Sequence, residues 1–94
     1  MDVYSIRRRG LRLFFERGQV RGLPSHRVER IRRILSAISD AETLDELATL
    51  PGWGLHRLRG DRQGTWSISV TGNWRLTFRV EGGGIHDLDL EDYH

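Results

Sequence analysis

The sequence predicts an α+β fold in which N-terminal helices pack on one face of a twisted antiparallel sheet. Apolar residues in the first half recur at helical spacing, as in Val28, Ile31, Ile34, Leu35 and Ile38. In the second half they alternate with polar ones, in Trp66, Ile68 and Val70 and again in Trp74, Leu76, Phe78 and Val80. The length of 94 residues suits one domain over 1–94 with a modest core. No repeat, low-complexity stretch or linker divides it.

Asp2 to Ile6 is expected as a short strand. Residues 8–17 follow as a helix, with Leu11, Phe14 and Phe15 on one side and Gly18 as its stop. Pro24 suits the first turn of a second helix, where its missing N–H would have no partner anyway. Along that helix Arg27, Arg30 and Arg33 form an i, i+3, i+6 row beside the apolar face. Thr43 and Glu46 have capping-box spacing for a short helix carrying Leu44 and Leu47, ended by Pro51-Gly52.

The strand registers follow from keeping one face apolar. A two-residue Gly72-Asn73 loop sets Val70 opposite Arg75 and mixes the faces. A three-residue Thr71-Gly72-Asn73 loop pairs Val70 with Trp74, Ile68 with Leu76 and Trp66 with Phe78, and is preferred. The last strand then pairs Phe78 with Leu88 and Leu76 with Leu90. This sets Arg79 opposite Asp87, Thr77 opposite Asp89 and Arg75 opposite Glu91, across a turn containing Gly82, Gly83 and Gly84. The sheet gains one apolar face for the helices and one charged face free to bind. Leu55 and Leu58 are out of step for a simple strand, so residues 55–59 are expected as a bulge or an edge strand.

Composition narrows the function. With no cysteine, disulfides, thiolate metal sites and a cysteine nucleophile are excluded. Arg7, Arg8 and Arg9 precede an apolar stretch that is broken at Arg12 and stops at Phe15, which is no secretory signal. No apolar run approaches the ~20 residues that span a bilayer, so a cytoplasmic protein without membrane association is expected. The net charge of +2 conceals an asymmetry: residues 1–33 carry +7 and residues 34–94 carry −5. A basic segment of this kind points to a polyanion partner. Every basic side chain is Arg, whose planar fork matches phosphate.

Two segments are more specific. One is Leu55-His56-Arg57-Leu58-Arg59-Gly60-Asp61-Arg62, followed by Trp66-Ser67-Ile68 and Asn73-Trp74-Arg75; the other is the terminal Glu91-Asp92-Tyr93-His94. With Gly10-Leu11, Phe14-Phe15-Glu16 and Gly18, they resemble the HigB family, the plasmid maintenance system killer proteins of the RelE/ParE superfamily. The resemblance covers nearly the whole chain. It implies a toxin that cuts messenger RNA in the ribosomal decoding site without a metal or cofactor. It also implies neutralisation by a HigA-type helix-turn-helix antitoxin. By position, the family's catalytic His falls on His56, its phosphate contacts on Arg59 and Arg75, and its acidic, phenolic and imidazole ending on Asp92, Tyr93 and His94. The family often has Lys where Arg59 stands.

The chemistry fits these residue types. RNA is cut through its own 2′-hydroxyl by a base near that hydroxyl, positive charge on the phosphate and an acid near the leaving oxygen. An imidazole titrates near ~6.5 in water and serves as either acid or base. His56 and His94 supply two imidazoles. Arg59 or Arg75 would hold the phosphate, Tyr93 would stack a base or bond the phosphate, and Asp92 would orient a His. Arg7, Arg8, Arg9, Arg27, Arg30 and Arg33 are either solvated faces or contacts to ribosomal RNA phosphates. Arg79 is expected to pair with Asp87, and the tryptophans to pack. Gly82–Gly84 is a turn, not a phosphate loop, and His86 is too isolated for a metal site. The alternatives left open are a non-cutting binding toxin of the same superfamily, acting on DNA gyrase, and an antitoxin-bound co-regulator.

Overall fold

The helical spacing of the first half becomes three helices: α1 (Arg9–Arg17), α2 (Val28–Asp40) and α3 (Leu44–Ala48). They are seen in a computed structural model that describes residues 1–92; Tyr93 and His94 lie outside the described residues. α1 buries Leu11 and Phe14, whereas Phe15, expected beside them, is 37% exposed. A 100° step per residue carries Phe15 past the edge of the buried stripe that its neighbour occupies. Gly18 ends α1 in the left-handed conformation (φ 74°), and its N–H donates to the Phe14 carbonyl at 2.9 Å. Pro24 caps a one-turn 3₁₀ helix (Ser25–Arg27) that leads into α2. Burying Ile31, Ile34, Leu35 and Ile38 holds α2 to the sheet, at roughly 1.5–3 kcal/mol for each side chain. The Thr43/Glu46 capping box forms at α3.

The alternating half becomes β1 (His56–Arg57), β2 (Thr65–Thr71), β3 (Trp74–Glu81) and β4 (Gly84–Asp92), an antiparallel sheet in that order. β1 is the expected edge strand. Ile68 faces Leu76, Trp66 faces Phe78, Leu76 faces Leu90 and Arg75 faces Glu91, as the alternation predicts. Two expectations are corrected. Thr71 pairs with Trp74 across a two-residue Gly72-Asn73 turn, and a bulge between Ser69 and Thr71 absorbs the odd residue. Val70 therefore stays buried without the three-residue loop, because the tight turn suits strand twist and the bulge removes the conflict of faces. On β4, Arg79 faces His86 rather than Asp87, because a second irregularity falls between Thr77 and Arg79. There Asp87 takes a positive φ of 54° and its N–H donates to Ser5 Oγ at 2.8 Å.

Asp2–Ile6 is not a regular strand. It runs parallel to β4 through two separate bridges, Val3 to Ile85 and Ile6 to Leu88. The Asp87 bulge lies between them, which interrupts the ladder. The core fills the space between helices and sheet, with Leu11, Ile31, Ile34 and Ile38 against Ile68, Leu76, Phe78 and Leu88. Gly10 and Gly22 meet backbone to backbone: a Cβ on Gly22 would lie 2.6 Å from Gly10 Cα.

Candidate active site

β1 carries His56 because Leu58 N–H donates to the Thr65 carbonyl at 2.8 Å, holding this short edge segment to β2. His56 pairs with Ser67, and Ser67 with Thr77, so the three residues form one row across the sheet. Alternation puts that row opposite the helices, while Arg57 pairs with Trp66 and lays its guanidinium over the Trp66 ring. His56 is exposed. Its Nδ1 lies 2.9 Å from the Gly54 carbonyl oxygen. A carbonyl only accepts, so Nδ1 carries the proton and the neutral ring keeps a lone pair on Nε2.

Three strands across the sheet, about 14 Å from His56 by strand spacing, Glu91 on β4 gathers three partners. Arg62 donates to it through both arms, Nη1 to Oε1 at 2.7 Å and Nη2 to Oε2 at 2.6 Å. The Thr77 hydroxyl donates to Oε2, and Arg75 Nη2 lies 3.5 Å from Oε1. These bonds, that of Arg62 foremost, hold the Glu91 carboxyl at about 2, against the burial that opposes ionisation. The same pairing raises Arg62 above the ordinary guanidinium value. Arg62 comes from a 3₁₀ turn, Gly60–Arg62, preceded by the exposed Arg59.

A polar cavity of about 270 Å³ lies beside this cluster, lined by Arg62, Thr77, Arg79, Asp87, Asp89 and Glu91 among others. Burial pushes Asp89 up, and the charge of Glu91 adds to that. Asp87 is pushed down by the Arg79 guanidinium, whose Nε donates to it at 2.9 Å. The side chains of Arg79 and Asp87 therefore meet as expected even though their backbones are out of register. The charged face is less open than the sequence suggests: Ser67 and Thr77 are only 1% exposed.

The remaining sequence candidates separate. Arg75 shares the face of His56 and Glu91. Asp92 pairs with Trp74, so alternation sets it with Leu88 and Leu90, at the rim of the opposite side. The structure does not bring it onto the His56 face; the other two residues expected at the site, Tyr93 and His94, are outside the described residues. Arg7 lies 3.7 Å from Asp87, and Arg8 donates to the Leu90 carbonyl while stacking on Trp74. Arg30 donates to the carbonyls of Gly52 and Ser69, both at 3.0 Å, tying α2 to the loop before β1 and to β2. These three arginines are thus engaged within the molecule. Arg9 and Arg33 are exposed, and Arg27 is half-buried near Gly72. Arg62 and Glu91 stand inside the recognisable segments, but their partnership spans 29 residues and has no local signal. Among the described residues, no group of three or more His, Asp or Glu side chains is placed to hold a metal, and no helix is long and apolar enough to cross a membrane.

Helices on one face of a four-stranded antiparallel sheet, with an imidazole and arginines on the other, define the class: residues 4–94 match the family described as the RelE-like toxin of type II toxin–antitoxin systems, HigB. The chain is also 44% identical over 92 residues to endoribonuclease HigB of Proteus vulgaris, covering 98% of this chain and 99% of that protein. The chain belongs to the HigB-like toxin family.

Proposed function

We propose that this protein is the toxin of a type II toxin–antitoxin pair and an endoribonuclease that cuts messenger RNA on the ribosome. Near-full-length similarity to an endoribonuclease supports the activity. The observation that carries the chemistry is the exposed His56, whose Nδ1 is bound to the Gly54 carbonyl so that Nε2 is left for the substrate, on the face that holds Arg75. In the proposed reaction, Nε2 takes the proton of the ribose 2′-hydroxyl. The 2′-oxygen then bonds to phosphorus, and the bond to the 5′-oxygen breaks as that oxygen gains a proton. Arg59 and Arg75 stabilise the charge that develops on the phosphate oxygens. Tyr93 and His94 supply the second proton-transfer group and its surroundings. The reaction needs no metal ion or cofactor, and a HigA-type antitoxin neutralises it.

The test is the purified chain added to ribosomes stalled on a defined message. Cleavage in the decoding site is expected, with 2′,3′-cyclic phosphate and 5′-hydroxyl ends, together with loss of cutting in His56→Ala. Messages left whole by the wild-type chain, or equal cutting by both proteins, would overturn this reading.

A further inference from the structure

Glu91 has no role in the reaction just proposed, yet on the site face it gathers three partners. Its carboxylate takes a fork from Arg62, a hydroxyl proton from Thr77 and the flank of Arg75. Arg62 closes the turn that begins after Arg59, and Glu91 immediately precedes Asp92. One carboxylate therefore ties the Arg59 loop, the central strand and the end of β4 together. Both bonds from Arg62 are charge-assisted, which makes them short and directional. Loops of this kind open locally at little cost unless something fastens them.

We propose that Glu91 is a positioning residue: it clasps the Gly60–Arg62 turn to β4, setting Arg59 and Arg75 where a phosphodiester is held. The clasp stays ionised at neutral pH because Arg62 and Thr77 hold the carboxyl at about 2. Its catalytic consequence rests on the nuclease reading above. The clasp itself does not.

The experiment compares wild-type protein with Glu91→Gln, Arg62→Gln and the double variant. Glu91→Gln preserves shape and an acceptor for Thr77 but loses the charge. On ribosome-bound message, kcat is expected to fall ~10–100-fold, the penalty of a displaced reacting group, with KM within ~2-fold. Each single variant should lose about as much as the double, because both remove the same bond. Hydrogen exchange reads the clasp directly. The Leu58 and Gln63 amides, which close the loop onto Thr65 and Gly60, are expected to exchange ~10-fold faster in Glu91→Gln, with β3 amides unchanged. Wild-type cutting by Glu91→Gln overturns the proposal, as does a slower rate with unchanged loop exchange. Losses that simply add in the double variant overturn it too. If wild-type protein cuts nothing, the nuclease reading fails and takes the catalytic half with it. Unchanged loop exchange then overturns the clasp, and faster exchange supports it.

Discussion

The two faces of the sheet are built from the same strands by different physics. On the helix side, Ile68, Leu76, Phe78, Leu88 and Leu90 are almost wholly buried and need only the right volume around them. On the other side Ser67 and Thr77 are as deeply buried, but between polar neighbours, and that burial requires partners. Thr77 finds one in Glu91, and Glu91 finds Arg62. The apolar face holds the chain together with non-directional contacts. The polar face holds particular atoms in particular places, so a change there should cost position before it costs stability.

The largest expected effect tests that division on the polar side. His56→Ala should lower cleavage roughly 10²–10⁴-fold while the urea midpoint stays within error, because the side chain is exposed; a large fall in stability would break the comparison. On the apolar side, Phe78→Ala should cost about 3–5 kcal/mol in urea unfolding, a large share of what a domain this size possesses. Gly22→Ala should cost about 1–3 kcal/mol, because its new Cβ meets the Gly10 backbone rather than a movable side chain. Differential scanning calorimetry distinguishes this from a harmless loop change.

Acid titration sharpens the contrast within the polar face. Glu91 has its carboxyl lowered from 4.5 to about 2. A depressed carboxyl contributes stability that is fully present above the unfolded value and lost as pH falls through the folded one. Stability should therefore decline between about pH 5 and pH 2. After allowance for solvent screening, the decline is on the order of 1–2 kcal/mol, and Glu91→Gln should flatten it. Asp89 is the reverse case, raised chiefly by burial, so its ionised form opposes folding at neutral pH. Asp89→Asn should raise the urea midpoint slightly at pH 7, since the amide oxygen still accepts from the Leu90 N–H.

Much of the architecture was legible in the chain. The spacing of Ile31, Ile34, Leu35 and Ile38 marks α2, and the alternation about Leu76 and Phe78 locates the buried face of β3, because both patterns are local consequences of backbone geometry. The pairing of Arg75 with Glu91 followed from the same alternation. The bulges at Val70 and Asp87 did not, since a bulge is decided by competition between turn geometry and side-chain direction. Ser5 serves the Asp87 N–H from 82 residues away, a partner that no local pattern contains.

The candidate site divides in the same way. His56, Arg59 and Arg75 were visible as residue types in a recognisable run. That Arg62 would fold back on Glu91, or that Arg30 would be used to hold the Gly52 and Ser69 carbonyls, was not. By itself the sequence determined which residues are helical, which alternate and which side of the sheet meets the helices, because these follow from periodicities of a few residues. Tertiary structure alone decided which arginines are spent inside the molecule and which carboxylate gathers them. A long guanidinium side chain reaches any of several acceptors, and the path of the loops decides which of them come within hydrogen-bond distance.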